Sequence, residues 1–160
     1  MVSAILPRLV ADCSLGKLVV YLRLAGIDTL FDPGVPDAKH LFWLSQGERT
    51  ILTRCRRVKQ ALGSKPVIYI NHNQPMTQVR EVITALNLDR GDLKPLTRCS
   101  RCNQLLQSAS KLEISGHVPE HVWQTHKTFK KCLLCERIYW SGSHAERWLT
   151  NLDRWFEDKN

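Results

Sequence analysis

Two pairs of cysteines have the spacing of a metal-binding knuckle. Cys99 and Cys102 form one CxxC pair, and Cys132 and Cys135 form a second pair after a further 29 residues. Two such pairs complete a tetrahedral site of four thiolates, the kind that holds structural Zn²⁺. The long separation favours a zinc ribbon with an excursion at residues 111–130, although disulfides or a redox pair are alternatives. A closed site of this kind stabilises a small lobe and has no open position for catalysis.

Carboxylates at predicted element ends suggest a second kind of chemistry. Asp12 follows the first predicted strand, and Asp37 opens the second predicted helix. Paired carboxylates suit Mg²⁺ or Mn²⁺, which phosphodiester hydrolysis uses to generate hydroxide and to stabilise the leaving oxygen. Aspartates at these places are also ordinary turn and capping residues. The pattern alone leaves both interpretations open.

The elements that would position these carboxylates alternate between strand and helix. Strands are predicted at residues 8–12, 27–31, 50–53 and 67–70, and helices at residues 15–25, 37–47 and 77–86. Such alternation predicts right-handed crossovers and an α/β fold with a mostly parallel, three-layer sheet. Ligands bind these sheets beyond the carboxyl ends of the strands. The predicted residues at that crevice are Asp12, Asp32, Cys55 and Asn71.

The alternation stops after Gly91, which predicts two units. We expect an α/β domain at residues 1–92, and a ribbon with a C-terminal helix at residues 93–160. Residues 138–140 read as the return strand of the ribbon, where Tyr139 and Trp140 could either pack or stack on nucleobases. The last helix carries an apolar stripe that includes Trp148 and Trp155, and this stripe is expected to pack back on the first domain.

Charge and composition narrow the class of partner. Lys and Arg exceed Asp and Glu by 23 − 15 = 8, and the pI is about 9.4. A basic protein of this kind is expected to bind a polyanion, and nucleic acid is the leading candidate. A hydrophobic fraction of 43% allows a buried core. The sequence has no long apolar run and no signal-peptide pattern, which predicts a soluble cytoplasmic protein that does not associate with a membrane.

A basic segment follows the third predicted strand. It contains Arg54, Arg56, Arg57 and Lys59. We expect these four side chains to contact RNA phosphates beside the carboxylate crevice, without base specificity. The alternative is a solvated helix face that binds nothing.

Several motifs together resemble the Mutator-seven C-terminal ribonuclease domain family. They are Leu9–Leu18, Tyr21–Gly26, Arg49–Arg54, Arg98–Asn103, Val118-Pro119, Cys135 and Arg137–His144. The similarity extends from Arg8 to about Leu152. It implies a PIN-like nuclease fold with an inserted or appended zinc ribbon, and metal-dependent action on RNA. Asp12 and Asp37 match the family's acidic positions.

Two positions depart from the family pattern. The family reads Leu-Thr-Arg-Asp where this chain has Cys55 after Arg54, so a thiol replaces a third carboxylate. A thiol is a soft ligand, usually protonated at neutral pH, and it adds no charge to a Mg²⁺ site. Asp32, which ends the neighbouring strand, is the candidate substitute. The second departure is Glu136, where the second knuckle usually continues with glycine, and it costs backbone freedom.

These observations predict an RNA-associated protein. The first hypothesis is a ribonuclease that depends on Mg²⁺ or Mn²⁺ and has a weakened active site. The second is a non-catalytic module that binds RNA or a ribonucleoprotein partner and retains the nuclease fold. A third hypothesis, a purely structural partner of another protein, also fits the basic charge and the ribbon edges.

Overall fold

A parallel sheet of four strands forms the centre of the first half of the chain. The computed structural model describes residues 6–159, without the side chains of residues 143, 144 and 159. The strands are β1 (Leu9–Ala11), β2 (Thr29–Phe31), β3 (Thr50–Thr53) and β4 (Val67–Tyr69). Their order is β2-β1-β3-β4, and every neighbouring pair is parallel. The predicted parallel sheet is confirmed, and its connections leave in opposite directions between β1 and β3.

Helices cover both faces of this sheet. They are α1 (Gly16–Leu24), α2 (Ala38–Ser45), α3 (Arg56–Leu62), α4 (Pro75–Ala85) and α6 (Ser143–Lys159). A further helix, α5 (Glu120–Thr125), belongs to the second half of the chain. Leu9 and Ala11 of β1 share a core cluster with apolar residues of α1, α4 and α6, whereas Val10 packs with α2 and α3. Because successive strand residues point to opposite faces, this division produces the predicted three layers. None of the helices between residues 6 and 159 combines the length and apolar character needed to span a bilayer.

Helix α3 lies where the sequence indicates only a basic segment. Its buried residues are Val58 and Leu62, which are four positions apart. Two apolar residues make too short a stripe to reveal a helix among basic neighbours. The predicted basic segment is therefore the beginning of a helix, and its charged side chains lie on the exposed side of the α2–α3 layer.

Gly26 lies two residues after the end of α1, where the chain turns away from the helix. Its φ is +91°, a left-handed conformation that favours glycine. A Cβ at this position would lie 2.3 Å from the carbonyl oxygen of Lys94. The backbone N–H of Lys94 donates to the carbonyl of Ala25 at 3.0 Å. The glycine thus lets the segment that leads into the ribbon approach the end of α1 closely.

The second half contains a separate antiparallel sheet. Its strands are β5 (Gln107–Ala109), β6 (Phe129–Lys131) and β7 (Ile138–Trp140), in the order β5-β6-β7. The predicted return strand is β7. Ile114, Val122 and Phe129 form a small core between this sheet and the excursion that carries α5. We call this sheet, its excursion and the two cysteine knuckles the ribbon.

Polar contacts hold the ribbon against α1 and β2. The Arg23 guanidinium donates to the carbonyls of Thr29, Ser100 and Arg101 at 2.9, 3.1 and 2.8 Å. The Asn103 side chain accepts a hydrogen bond from the backbone N–H of Thr29 at 3.1 Å. The α6 side chains Trp148, Leu152 and Phe156 join the core cluster of α1 and α4. The division of the chain at residues 92 and 93 stays a prediction.

Asp28 binds the two halves together at the amino ends of the strands. It accepts hydrogen bonds from Arg49 at 2.6 Å and from the Asn103 side chain at 2.8 Å. Burial opposes its ionisation, but the bonds from Arg49 and Asn103 outweigh burial and hold the pKa of Asp28 below its usual range. The Arg49 motif residue therefore has a structural role, at the end of the sheet opposite the predicted crevice.

Candidate functional site

The four predicted zinc ligands come together in the ribbon. The sulfur atoms of Cys99, Cys102, Cys132 and Cys135 all lie within 4.8 Å of one another. The sulfurs of Cys99 and Cys135 are 3.6 Å apart. Cys99 and Cys132 are buried, and the other two are half-buried. This arrangement matches the donor set of a closed tetrahedral metal site, so the cluster can hold an ion such as zinc.

Each knuckle closes through a residue in the left-handed region. Asn103 has a φ of 65°, and its backbone N–H donates to the carbonyl of Cys99 at 2.9 Å. Glu136 has a φ of 58°, and its N–H donates to the carbonyl of Cys132 at 2.8 Å. A side chain in this conformation costs roughly 1–2 kcal/mol compared with glycine. The structure therefore gives a physical reason for the glycine that Glu136 replaces.

The Tyr139 hydroxyl contacts the first cysteine knuckle. Its hydroxyl oxygen accepts the backbone N–H of Ser100 at 3.0 Å and lies 3.1 Å from the Cys99 sulfur. Burial opposes ionisation of Cys99, but hydrogen bonds from Tyr139 and nearby backbone N–H groups lower its pKa to about 6. The hydrogen bond with Cys135 raises the pKa of Cys102 to about 12. Four neighbouring thiols ionise together only with a shared cation, so these contacts fit a metal site.

Asp12 lies at the carboxyl end of β1, at the point where the strand connections diverge. It is 1% exposed. Its Oδ1 accepts the backbone N–H and the hydroxyl of Ser14, at 2.9 and 2.5 Å. Its Oδ2 accepts the hydroxyl of Thr53 at 2.5 Å and the N–H of Arg54 at 3.3 Å. Four donors match the lone pairs of a carboxylate, so Asp12 also has the turn-capping role that the sequence left open.

Asp32 lies beside Asp12, at the carboxyl end of β2. Its backbone N–H donates to the carbonyl of Ala11 at 2.9 Å. Its Oδ1 accepts the N–H of Gly34 at 3.0 Å, whereas its Oδ2 is buried and has no hydrogen-bond partner. A buried carboxylate oxygen without a partner is costly unless a cation or donor compensates it.

Asp37 and Cys55 form a third group on the α2–α3 side. Asp37 is exposed and caps α2, because its Oδ1 accepts the backbone N–H of His40 at 2.7 Å. Cys55 precedes α3, and both residues line one shallow pocket. Ala11 lies opposite Leu52 in the strand register, and the residues that follow them, Asp12 and Thr53, are joined by a hydrogen bond. Thr53 is two residues before Cys55. Among the side chains that the structure describes, the four cysteines are the only group of three or more His, Cys, Asp or Glu residues whose ligand atoms lie within 4.8 Å of one another.

The basic residues lie on both sides of α3. Arg54 donates to the side chain of Asn73, and Arg57 lines the pocket with Asp37 and Cys55. Arg56 and Lys59 line a neighbouring groove, in which the Lys59 ammonium lies 5.2 Å from the centre of the Tyr69 ring. The structure places all four beside the carboxyl ends of β3 and β4, and their contact with RNA stays a prediction.

A comparison with protein families decides the relationship. The family model of the Mut7-C RNAse domain matches residues 7–152. The chain belongs to this family. A search of curated proteins found no match. The matched residues of the Mut7-C domain include the carboxyl ends of the parallel strands and the cysteine cluster. The side chain of the motif residue His144 lies outside the described residues.

A divalent cation, which the family resemblance implies, fits this Mut7-C domain best at Asp32. Its Oδ2 is the one buried carboxylate oxygen without a hydrogen-bond partner in the part of the chain that the structure describes. The oxygens of Asp12 already accept hydrogen bonds, but two of the donors are the hydroxyls of Ser14 and Thr53, which can rotate. Asp32 and then Asp12 are therefore the residues that would hold such an ion.

Sequence reasoning missed three contributors to these sites. The sequence suggests a packing or stacking role for Tyr139, whereas its hydroxyl contacts the cysteine cluster. Thr53 and His40 are the other two: Thr53 donates a hydrogen bond to Asp12, and the Nε2 of His40 lies 3.6 Å from the Oδ2 of Asp32. The position of Thr53 next to Asp12 could have been found from the strand order. No pattern in the sequence connects His40 with Asp32.

Proposed function

We propose that this protein is a metal-dependent ribonuclease with a weakened active site. The observation that carries the proposal is the pair of buried carboxylates, Asp12 and Asp32, at the ends of adjacent strands in a ribonuclease-family domain. Parallel sheets bind ligands at this edge, next to the point where the strand connections diverge. We also propose structural Zn²⁺ in the ribbon and a cytoplasmic location, because four reduced thiols require a reducing compartment.

Each carboxylate has a distinct part in the proposed reaction. Asp12 and Asp32 would hold the cation, and rotation of the Ser14 and Thr53 hydroxyls would free one lone pair on each oxygen of Asp12, which would keep its backbone N–H donors. A Mg²⁺ or Mn²⁺ ion held there would supply hydroxide and would stabilise the leaving oxygen of the phosphodiester. Asp37 is the third proposed catalytic carboxylate, placed at the exposed start of α2.

Cys55 is the reason to expect weak activity. It occupies the position of the missing acid and lines the pocket with Asp37. A protonated thiol contributes neither charge nor a hard oxygen ligand to this side of the site. The cation would therefore have two buried carboxylates and lack the negative charge that a third acid supplies.

The RNA is proposed to approach over α3. Arg54, Arg56, Arg57 and Lys59 supply positive charge next to the carboxylates, and the groove beside Lys59 contains the half-buried ring of Tyr69. Phosphate contacts from such side chains position a nucleic acid without reading its sequence. A single strand can also stack a base on an aromatic ring.

One observation favours a second function, a non-catalytic module for RNA or a ribonucleoprotein. Among the described residues, Asp12, Asp32 and Asp37 do not converge on one point. The oxygens of Asp12 accept four hydrogen bonds, and Asp37 caps a helix. These are the contacts expected of carboxylates that stabilise turns in a retained fold.

Cleavage of labelled single-stranded RNA tests the two functions directly. The zinc-loaded parent should cleave the RNA in Mn²⁺, and Asp12→Asn should lower the rate by at least about 100-fold, the order of effect of a lost electrostatic group. Asp158→Asn, an exposed change on α6, is the matched control and should retain the parent rate. Binding of the RNA by the parent without cleavage would establish the module instead.

A further inference from the structure

His40 lies over the carboxylate oxygen of Asp32 that has no hydrogen-bond partner. The Nε2 of His40 is 3.6 Å from the Oδ2 of Asp32. This separation is too long for a hydrogen bond. Asp32 is 7% exposed, and its Oδ2 is fully buried. One imidazole nitrogen therefore faces a buried oxygen across a gap that neither atom closes.

The surrounding residues hold the His40 ring in place. The backbone N–H of His40 donates to Asp37, which fixes the first turn of α2. The imidazole stacks on the ring of Trp43, with centroids 5.8 Å apart and planes inclined by 21°. About half of the His40 side chain is exposed, so solvent ions can reach its nitrogen. The imidazole is thus oriented before any ligand arrives.

We propose that Asp32 and His40 form a ligand pair for a divalent transition-metal ion such as Mn²⁺. Two ligands at 90–109° around an ion with bonds of about 2.1 Å lie about 3.0–3.4 Å apart. The observed 3.6 Å needs a shift of only a few tenths of an ångström. This inference rests on the proposed function, because the ion would be the one that we propose for the catalytic site at Asp12 and Asp32.

The chemistry of the pair gives it a preference among metals. Mg²⁺ prefers oxygen ligands, whereas an imidazole nitrogen is a better ligand for transition metals. An Asp–His pair should therefore bind Mn²⁺ more tightly than Mg²⁺. Since Cys55 supplies no carboxylate, His40 would provide the third protein ligand from α2 instead, without adding negative charge. Water and RNA phosphate oxygens can fill the other positions.

The test is Mn²⁺ binding by the full, zinc-loaded chain, measured by the EPR signal of free Mn²⁺ with and without competing Mg²⁺. We expect His40→Gln to weaken Mn²⁺ binding by about tenfold or more, and to change the apparent Mg²⁺ affinity by less than about twofold. The matched control is His72→Gln, because His72 is an exposed histidine near the same edge that pairs with Glu81 at 3.0 Å. This control should change neither affinity.

Pulsed EPR gives a direct second measurement. Bound Mn²⁺ should show a ¹⁴N coupling in the parent and in His72→Gln, and no such coupling in His40→Gln. A simple ion pair between His40 and Asp32 would leave Mn²⁺ affinity the same in all three proteins, which overturns the proposal. A parent that binds no Mn²⁺, or one whose bound Mn²⁺ lacks the ¹⁴N coupling, overturns it as well.

RNA cleavage by the same proteins separates this inference from the proposed function. If His40 governs Mn²⁺ binding but the parent cleaves no RNA, the metal site stands and the ribonuclease proposal fails. If the parent cleaves RNA and His40→Gln binds Mn²⁺ as the parent does, the ribonuclease stands and the Asp32–His40 site fails.

Discussion

The cysteine cluster and the carboxylate edge show two different ways of placing metal-binding side chains. In the ribbon, four sulfurs lie within 4.8 Å of one another. At the edge of the parallel sheet, Asp12 pairs with Thr53, Asp32 faces His40, and Asp37 shares a pocket with Cys55. The four sulfurs therefore converge on one site, whereas the carboxylates are distributed along one edge of the parallel sheet.

The difference follows from what each side chain does without a metal. The cysteines have few alternative partners, since thiols are weak donors and acceptors, and burial of the cluster depends on its own contacts. Each aspartate instead satisfies backbone N–H groups in a turn or at a helix start. Local capping therefore competes with metal binding at the sheet edge and does not compete in the ribbon.

The largest expected effect comes from breaking the ribbon. One Zn²⁺ per chain should co-purify with the parent. Cys132→Ser should abolish stoichiometric zinc, because structural zinc contributes about 10–16 kcal/mol of apparent binding free energy in small metal-dependent folds. Hydrogen exchange should show residues 97–141 losing protection before the parallel sheet does.

A conservative change elsewhere controls for loss of a thiol as such. Cys13→Ser alters an exposed cysteine and should retain both the zinc and the exchange pattern. Free titration of the four cluster thiols, in addition to those of Cys13 and Cys55, in the native, unchelated parent would contradict the zinc site.

The cysteine site could be predicted from sequence because its geometry is local. Each CxxC pair is closed by its own turn, so spacing alone identifies the four ligands. The contribution of Tyr139 could not be predicted in this way, because it depends on how β7 lies against the first knuckle. The ribbon sequence thus predicts the ligands and leaves the support of those ligands open.

For the parallel sheet, the sequence predicts the elements but not the partners of the carboxylates. Alternating strands and helices predicted the three layers and the edge at which Asp12 and Asp32 lie. The partners of these carboxylates depend on strand order and helix rotation, which bring Thr53 next to Asp12 and His40 over Asp32. Helix α3 was missed because Val58 and Leu62 are its only buried residues. Tertiary packing, and not local pattern, decides these features.

An intermediate effect on metal affinity is expected from a carboxylate in place of Cys55. Cys55→Asp places a second charge in the pocket of Asp37, and Mn²⁺ affinity should rise by about tenfold, or 1.4 kcal/mol. Cleavage of single-stranded RNA should equal or exceed that of the parent, and adding Asp12→Asn should remove it. Titration of Mn²⁺ and RNA cleavage measure the two effects.

The matched control separates charge from helix capping. Cys55 is the N-cap of α3 and makes no side-chain capping bond, so either Asp or Asn there should stabilise the helix by about 0.5–2 kcal/mol. Cys55→Asn should raise thermal stability without raising Mn²⁺ affinity. A parent that already cleaves strongly and is unchanged by Cys55→Asp would show that the active site is not weakened.

The smallest effect is expected from the basic residues on α3. Replacing Arg54, Arg56, Arg57 and Lys59 by alanine should weaken RNA binding at low salt and reduce the slope of log affinity against log salt by roughly one unit for each lost phosphate contact. The structure predicts less than four units, because Arg54 is engaged with Asn73 and Lys59 lies over Tyr69.

Loss of positive charge at a distance is the necessary control for this series. Lys127, Arg137, Arg147 and Arg154 are exposed residues of the ribbon and α6. Changing these four to alanine removes the same charge, and at 0.15 M salt their field is screened beyond about 8 Å. The control should therefore retain most of the parent slope. If both series lowered the slope equally, RNA would be held by net charge alone, and the basic residues of α3 would have no special place beside the carboxylates.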